Sequence, residues 1–211
     1  MVVDGLEFAP PRSAKLDFVV ASKGPVFLVG GPGSGKSALI DLFSFQTLPR
    51  KGRVEIFGMD TARIAPSLRP RMRRRVGVVF QDQRLLADLD VFDNIALAAR
   101  VAERRPKDYS DDVEQLLAWI GLGGRGSDAL SRLSAVERQK LCIARALVNR
   151  PDLLLVDEPV GGLGERASVG ILRLIAEIAA AGTPVVVATN DRVLAKSCGG
   201  VVYDLPAPEP S

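Results

Sequence analysis

Eight consecutive residues, Gly30-Gly31-Pro32-Gly33-Ser34-Gly35-Lys36-Ser37, carry the densest chemistry in this chain. They fit the pattern G-x-x-x-x-G-K-[ST], which closes backbone N–H groups around a polyphosphate. Glycines suit that task because no Cβ stands between amides and phosphate oxygens, and the positive end of a following helix adds to the attraction. Lys36 supplies a full charge at the terminal phosphates, and the Ser37 hydroxyl is a ligand of the kind Mg²⁺ takes. A second constellation, Asp157-Glu158, follows four apolar residues. Two acids beside a core are unfavourable unless a cation or a water uses them. Asp157 is expected in the Mg²⁺ shell and Glu158 as the group that orients and polarises the attacking water. Taken alone, the pair also fits a polar turn before Pro159. Gln81 ends another apolar run and offers a neutral amide to the metal or the water, although a single strand-end Gln says little.

These groups can act together only if strands deliver them to one edge. Val26–Val29 leads into the phosphate loop, and a helical stretch from Ala38 to Gln46 follows it. Short strands are predicted at 52–58, Val76–Phe80, Leu153–Val156 and Val185–Ala188, the last running into Thr189-Asn190-Asp191. Ligands in such sheets bind at the carboxyl ends of strands, and Asp157 is expected on a strand neighbouring the one before Lys36. The first 24 residues, broken by Pro10-Pro11, read as edge strands and turns. From Leu89 to Asn149 the period is helical, with Val91, Ile95 and Ala98 on one face and Val113, Leu116, Leu117 and Ile120 on another. Ser134-Ala135-Val136-Glu137 reads as a capping box that opens a helix ending before Pro151, and a further helix is predicted over Ile171–Ala181. The pattern predicts an α/β fold: a mainly parallel, helix-covered sheet with an antiparallel β edge and a helical insert. One domain is expected over residues 1–205, with its core at about 1–80 and 150–205 and its insert at about 81–149, followed by a Pro-rich disordered tail at 206–211.

The 211 residues are 47% apolar and carry a formal charge of +3, which excludes a disordered tail and suits one well-packed domain. The apolar runs are too short to span a bilayer, and Asp4 and Glu7 interrupt any secretory signal, so a cytoplasmic protein is expected. Cys142 and Cys198 lack metal or redox spacing and read as reduced thiols. Arg69, Arg71, Arg73, Arg74 and Arg75 crowd together, which fits a solvated helix face better than a phosphate-tracking patch. No aromatics interleave with them, so nucleic acid is not the expected partner.

The assembly resembles the ATP-binding subunits of ABC transporters over nearly the whole chain, and so implies a P-loop NTPase of the ABC ATPase type. The resemblance rests on Gly30 to Ser37, on Val78-Val79-Phe80-Gln81-Asp82 as the Q-loop, on Leu133 to Gln139 at the signature position and on Leu153 to Pro159 as Walker B. Within the family, Arg73 to Leu86 followed by Val91 to Leu97 is similar to the FtsE branch, which serves cell division. The resemblance implies ATP and Mg²⁺ held by Gly30, Gly31, Pro32, Gly33, Ser34, Gly35, Lys36, Ser37 and Ala38, with Ser37, Gln81 and Asp157 at the metal. It also implies a head-to-tail dimer, with itself or with a relative, in which Ser134 and Glu137 of one subunit approach the nucleotide of the other. An integral membrane subunit, an FtsX-like permease, would dock beside the Q-loop and hold the protein peripherally at the cytoplasmic face of the inner membrane. Leu85, Leu86, Leu89 and Phe92 are candidate docking contacts, or ordinary core of the insert. Phe8 is the best-placed aromatic for adenine, though a core strand residue needs no ligand.

Departures from the family pattern bear on rate. The signature glycines are Ala135 and Val136, and a β-branched residue there can crowd a partner's phosphate. Ser134 and Glu137 remain, but a capping box alone explains them. The D-loop reads Gly161-Gly162-Leu163-Gly164 without its carboxylate, and Asn190 holds the place of the switch histidine in a chain with no histidine. Asn donates a hydrogen bond but carries no imidazolium charge, and one lost preorganised donor costs about 3 kcal/mol at a transition state. Two readings follow: a slow ABC-type ATPase with Glu158 as base, Gln81 at the metal or water and Asn190 substituting for the switch, or an ATP-gated scaffold with negligible hydrolysis. The ATPase of a solute transporter is a further alternative.

Overall fold

The wholly apolar strands become the buried interior of one parallel sheet. The computed structural model describes residues 1–7, 15–20 and 24–205, so Phe8 and the 206–211 tail lie outside the described residues. The chain opens with β1 (Val2–Glu7) and β2 (Lys15–Val19), then β3 (Val26–Val29) and α1 (Lys36–Phe43). Next come β4 (Lys51–Ile56), β5 (Met59–Asp60), the short α2 (Arg69–Arg73) and β6 (Val76–Val79). Three helices, α3 (Val91–Val101), α4 (Pro106–Trp119) and α5 (Ala135–Leu147), separate β6 from β7 (Leu153–Asp157). The order closes with α6 (Glu165–Ala180), β8 (Val185–Thr189), α7 (Arg192–Ser197) and β9 (Val201–Asp204).

Five strands form the parallel sheet in the order β6-β7-β8-β3-β9, and four form an antiparallel sheet, β2-β1-β4-β5. Strands β3, β7 and β8 are buried along their whole length, which is why their sequences do not alternate. Alternation survives in the packing: Leu153 and Leu155 of β7 join a core with α1 and the antiparallel sheet, while Leu154 and Val156 join the core under α6. Helices α3, α4 and α5 enclose a third cluster around Ile95, Val113, Leu117 and Leu141.

One expected neighbour relation is corrected. Strand β8 lies between β3 and β7, so Lys36 and Asp157 do not follow adjacent strands. Helix α1 compensates by packing across both β7 and β8, which carries its first residues over the end of β7. Two further features escaped the pattern. Helix α6 starts at Glu165, six residues ahead of the expected Ile171, because its exposed opening turns carry no apolar period. Strand β9 follows Gly200, where a Cβ would stand 2.2 Å from the Pro25 carbonyl oxygen; only glycine admits β9 to its place beside β3. The arginine run forms α2 and its exit. Arg73 donates to the Phe45 carbonyl at 3.2 Å, Arg74 pairs with Glu103 and Arg75 with Asp152, both at 2.7 Å.

Glycine 77 shows how closely α5 meets β6. A Cβ there would lie 2.5 Å from the Ala146 carbonyl oxygen, a backbone atom that cannot swing away. Gly77→Ala is expected to destabilise the fold by about 1–3 kcal/mol. A lowered urea midpoint with unchanged slope is the measurement; an unchanged midpoint would show that α5 shifts freely.

Candidate nucleotide site

The loop after β3 is tied to the sheet at its first residue, where the Gly30 amide donates to the Thr189 carbonyl at 3.1 Å. Gly33 and Gly35 have φ of +77° and +84°, in the left-handed region that favours glycine. Lys36 is buried at the start of α1, and its Nζ donates to the Gly30 and Gly31 carbonyls at 2.5 and 3.0 Å. The same amine lies 3.4 Å from Glu158 Oε1, with the two side chains only 8% and 10% exposed.

Glu158 sits just past β7 with φ of +45°, uncommon for any residue with a Cβ. Its amide donates to the Ala188 carbonyl at 2.8 Å, and its Oε2 accepts from the Asn190 amide at 3.2 Å. The carboxylate is therefore held from two sides, by Lys36 across the end of β8 and by the backbone beyond β8. A cavity of about 410 Å³ is lined by residues 32–38 together with Gln81, Glu158 and Asn190. Residues from four separate stretches of sequence thus converge on one space. A larger cavity, about 630 Å³, lies elsewhere, but the glycine-rich loop, Lys36 and Glu158 meet at the smaller one.

Asp157 is buried beneath the loop, and its Oδ1 has no hydrogen-bond partner. Burial pushes its pKa up, a hydrogen bond from Ser37 opposes the rise, and the Glu158 charge adds to it. An orphaned carboxylate oxygen beside a serine hydroxyl and beneath a loop of phosphate-binding pattern fits a hard cation, and the all-oxygen donors Ser37, Gln81 and Asp157 suit Mg²⁺.

Ser134 and Glu137 do not line this cavity. They cap α5: the Ser134 amide and hydroxyl each lie 2.8 Å from Glu137 Oε2, the Glu137 amide donates to Ser134 Oγ at 3.3 Å, and Arg125 donates to Glu137 Oε1. Val136 turns inward against the core under α6, leaving Ala135 exposed. The Ser134 amide and hydroxyl, followed by Arg125, hold the Glu137 carboxyl at about 2, below its ordinary 4.5. Stabilisation from this depressed acid is fully present above pH 4.5 and is lost as pH falls through about 2. In acid titration followed by the Glu137 carboxyl carbon resonance, the midpoint is expected near 2; a midpoint at 4.5 would remove the capping box as its cause.

Sequence reasoning missed the clamp on the turn after Gln81. Gln83 and Arg84 have φ of +60° and +48°, and Arg145 of α5 donates to both of their carbonyls at 2.5 Å. Gln83 also donates to the buried Gln139 at 3.1 Å. No local spacing rule links these residues, because the contacts span the whole helical insert. Leu85 packs into both neighbouring cores, and Phe92 lines a different cavity beside Asp90 and Glu114. Gly164 caps α6 with no side-chain hydrogen bond.

A parallel sheet with a phosphate loop at one strand end and an acid pair at another defines a P-loop nucleotide-binding domain of the ABC ATPase class. The chain belongs to the ABC transporter family, whose pattern matches residues 14–161. It is 37% identical over 180 residues to the cell division ATP-binding protein FtsE of Mycobacterium tuberculosis, covering 85% of this chain and 78% of that one. Against FtsE of Escherichia coli the identity is 39% over 165 residues, covering 78% and 74%. The macrolide export ATP-binding/permease protein MacB of Acinetobacter baylyi is 34% identical over 84% of this chain but only 27% of its own length. A dimeric ATP-binding cassette bound to ADP and Pi has the same fold, with a TM-score of 0.83 at 24% identity over 100% of this chain and 97% of that one. This is an ABC ATP-binding subunit similar to FtsE.

Proposed function

We propose that this chain is the ATP-binding subunit of an FtsE-like ABC complex, binding ATP with Mg²⁺ and hydrolysing it slowly to drive or gate an FtsX-like integral membrane subunit in cell division. The observation that carries this reading is the convergence of residues 32–38, Gln81, Glu158 and Asn190 on one cavity, with Glu158 already oriented. Backbone N–H groups of the loop cradle the phosphates, except at Pro32, which has none, and Gly30, whose amide is taken by Thr189, and Lys36 exchanges its loop carbonyls and Glu158 for the terminal phosphates. Ser37, Asp157 and Gln81 would hold Mg²⁺, which would supply neutralisation of phosphate charge. Glu158 takes the proton of the attacking water, and Asn190 donates toward the phosphate. The protein works peripherally at the cytoplasmic face of the membrane, as one domain with an insert over about 81–149, and in a dimer that brings α5 of one subunit to the nucleotide of the other.

Gly164 and Asn190 favour a second reading, in which ATP gates dimerisation or docking and hydrolysis is negligible. Copurification with membrane proteins, followed by an ATPase assay of the recovered complex, decides between them. The first reading expects a retained membrane subunit and phosphate release that depends on Glu158. A complex that forms with ATP yet releases no Glu158-dependent phosphate would leave the gated scaffold in its place.

A further inference from the structure

Gln81 lines the nucleotide cavity, yet none of the described residues hydrogen-bonds its side chain. Its placement therefore comes from the backbone on either side. Before it, β6 is paired with β7 as far as Val79 and Val156. After it, the chain turns through two successive left-handed residues that carry a Cβ, Gln83 at φ +60° and Arg84 at +48°. Such a pair is unfavourable on its own and persists where its surroundings over-determine it. Within the turn, the Gln83 amide donates to the Phe80 carbonyl at 3.0 Å and the Arg84 amide to that of Asp82 at 2.7 Å. The other contacts come from one face of α5, where Gln139, Cys142 and Arg145 follow at intervals of three. Gln83 donates to Gln139 Oε1 at 3.1 Å, the Cys142 thiol donates to the Gln83 carbonyl at 3.5 Å, and Arg145 spreads two nitrogens over the carbonyls of Gln83 and Arg84, both at 2.5 Å. Arg145 has no carboxylate at salt-bridge distance among the described residues, and burial lowers its pKa. A desolvated guanidinium without a counter-charge is unfavourable, so its presence calls for a use, and the two carbonyls are its acceptors.

We infer that Arg145 is a positioning residue for Gln81: its planar guanidinium fixes the left-handed pair that follows Gln81 and so holds the Gln81 amide at the cavity lined by Lys36 and Glu158. The inference rests on the reading above that Gln81 is a ligand of Mg²⁺, and it adds the residue that sets where that ligand stands. A fork of donors answers two successive carbonyls at once, whereas a lysine ammonium is a point charge on a flexible stem. Helix α5 is itself pressed against β6, where a Cβ on Gly77 would stand 2.5 Å from the Ala146 carbonyl oxygen, so the fork has a fixed base. The expected consequence is selective. Loss of the fork leaves the phosphate loop and the Lys36 contacts in place, so it weakens what Mg²⁺ adds to ATP binding and spares binding without the metal.

ATP titrations of the full chain, with Mg²⁺ and again with EDTA, test this in wild type, Arg145→Met, Gln81→Ala and the double variant, each accompanied by a thermal melt. Methionine keeps an unbranched stem and removes the donors. Arg145→Met is expected to lose about tenfold of the affinity that Mg²⁺ adds, the low end of what outer partners of a metal site contribute, with affinity in EDTA unchanged. Gln81→Ala is expected to lose at least as much, and the double variant no more than Gln81→Ala alone, because the fork acts through that side chain. A merely structural Arg145 would lower affinity alike with and without Mg²⁺, or would add its loss to that of Gln81→Ala; either result overturns the inference. Should Arg145→Met melt below the assay temperature, Arg145→Lys carries the same comparison, with a smaller loss expected and the same results overturning it. The two levels fail differently. Gln81→Ala with the Mg²⁺ dependence of wild type removes Gln81 from the metal and the inference with it, whereas a full Gln81 effect beside an unaffected Arg145 variant removes the clamp alone.

Discussion

Lys36→Ala is expected to abolish measurable ATP binding, with the dissociation constant rising at least about a hundredfold, equivalent to roughly 3 kcal/mol. Among the described residues its amine is the one full positive charge lining the cavity at the glycine-rich loop, and it also pairs with Glu158 at 3.4 Å. Its removal has a second effect. Glu158 is about nine-tenths buried, and breaking such a pair from one side typically destabilises by about 3 kcal/mol or more. Lost affinity could therefore reflect a loosened site. Lys36→Ala combined with Glu158→Gln removes the stranded charge and should recover much of the stability without recovering affinity. Titration calorimetry with ATP and Mg²⁺, paired with thermal melts of both variants, reads the two effects separately. Unchanged affinity in the single variant would remove Lys36 from the phosphate site.

Glu158→Gln is expected to lower phosphate release by about 10²- to 10⁴-fold, the usual contribution of a positioned general base, while leaving ATP affinity within a few-fold of wild type. The amide keeps the shape of the carboxylate and can still accept from the Asn190 amide, but it takes no proton. Lys36 retains its two loop carbonyls, so the fold should survive. If hydrolysis normally dissolves the dimer, the variant with ATP and Mg²⁺ should sediment as a dimer where wild type does not. Equal phosphate release by the two proteins would assign the proton to another group and the enzyme reading would go with it.

Much of this was legible because its determinants are local. The loop from Gly30 to Ser37 announces itself by spacing, and β7 and β8 by runs too apolar for one-sided burial. The capping box of Ser134 and Glu137 is a four-residue pattern whose geometry follows from helix ends. What stayed hidden depends on partners distant in sequence. The insertion of β8 between β3 and β7 is a matter of crossover topology, and no residue in β8 encodes it. The inward turn of Val136, which sequence alone allows to point at a partner's phosphate, is decided by packing against the core under α6. The Arg145 clamp joins positions about sixty residues apart, as its separations of 61 and 62 show. Strand β9 is hidden from sequence because it is short, no residue in it is fully buried, and its neighbour β3 lies far upstream.

The positive φ of Glu158 has an implication for how this sequence can change over generations. Holding a side chain with a Cβ at +45° costs on the order of 1–2 kcal/mol, and glycine at that position would be relieved of it. Random substitution therefore has a downhill path at residue 158, open whenever nothing selects for the carboxylate. A lineage that had relinquished ATP cleavage would be free to follow it. Glutamate held in an unfavourable backbone conformation is what selection for the carboxylate itself would leave at residue 158.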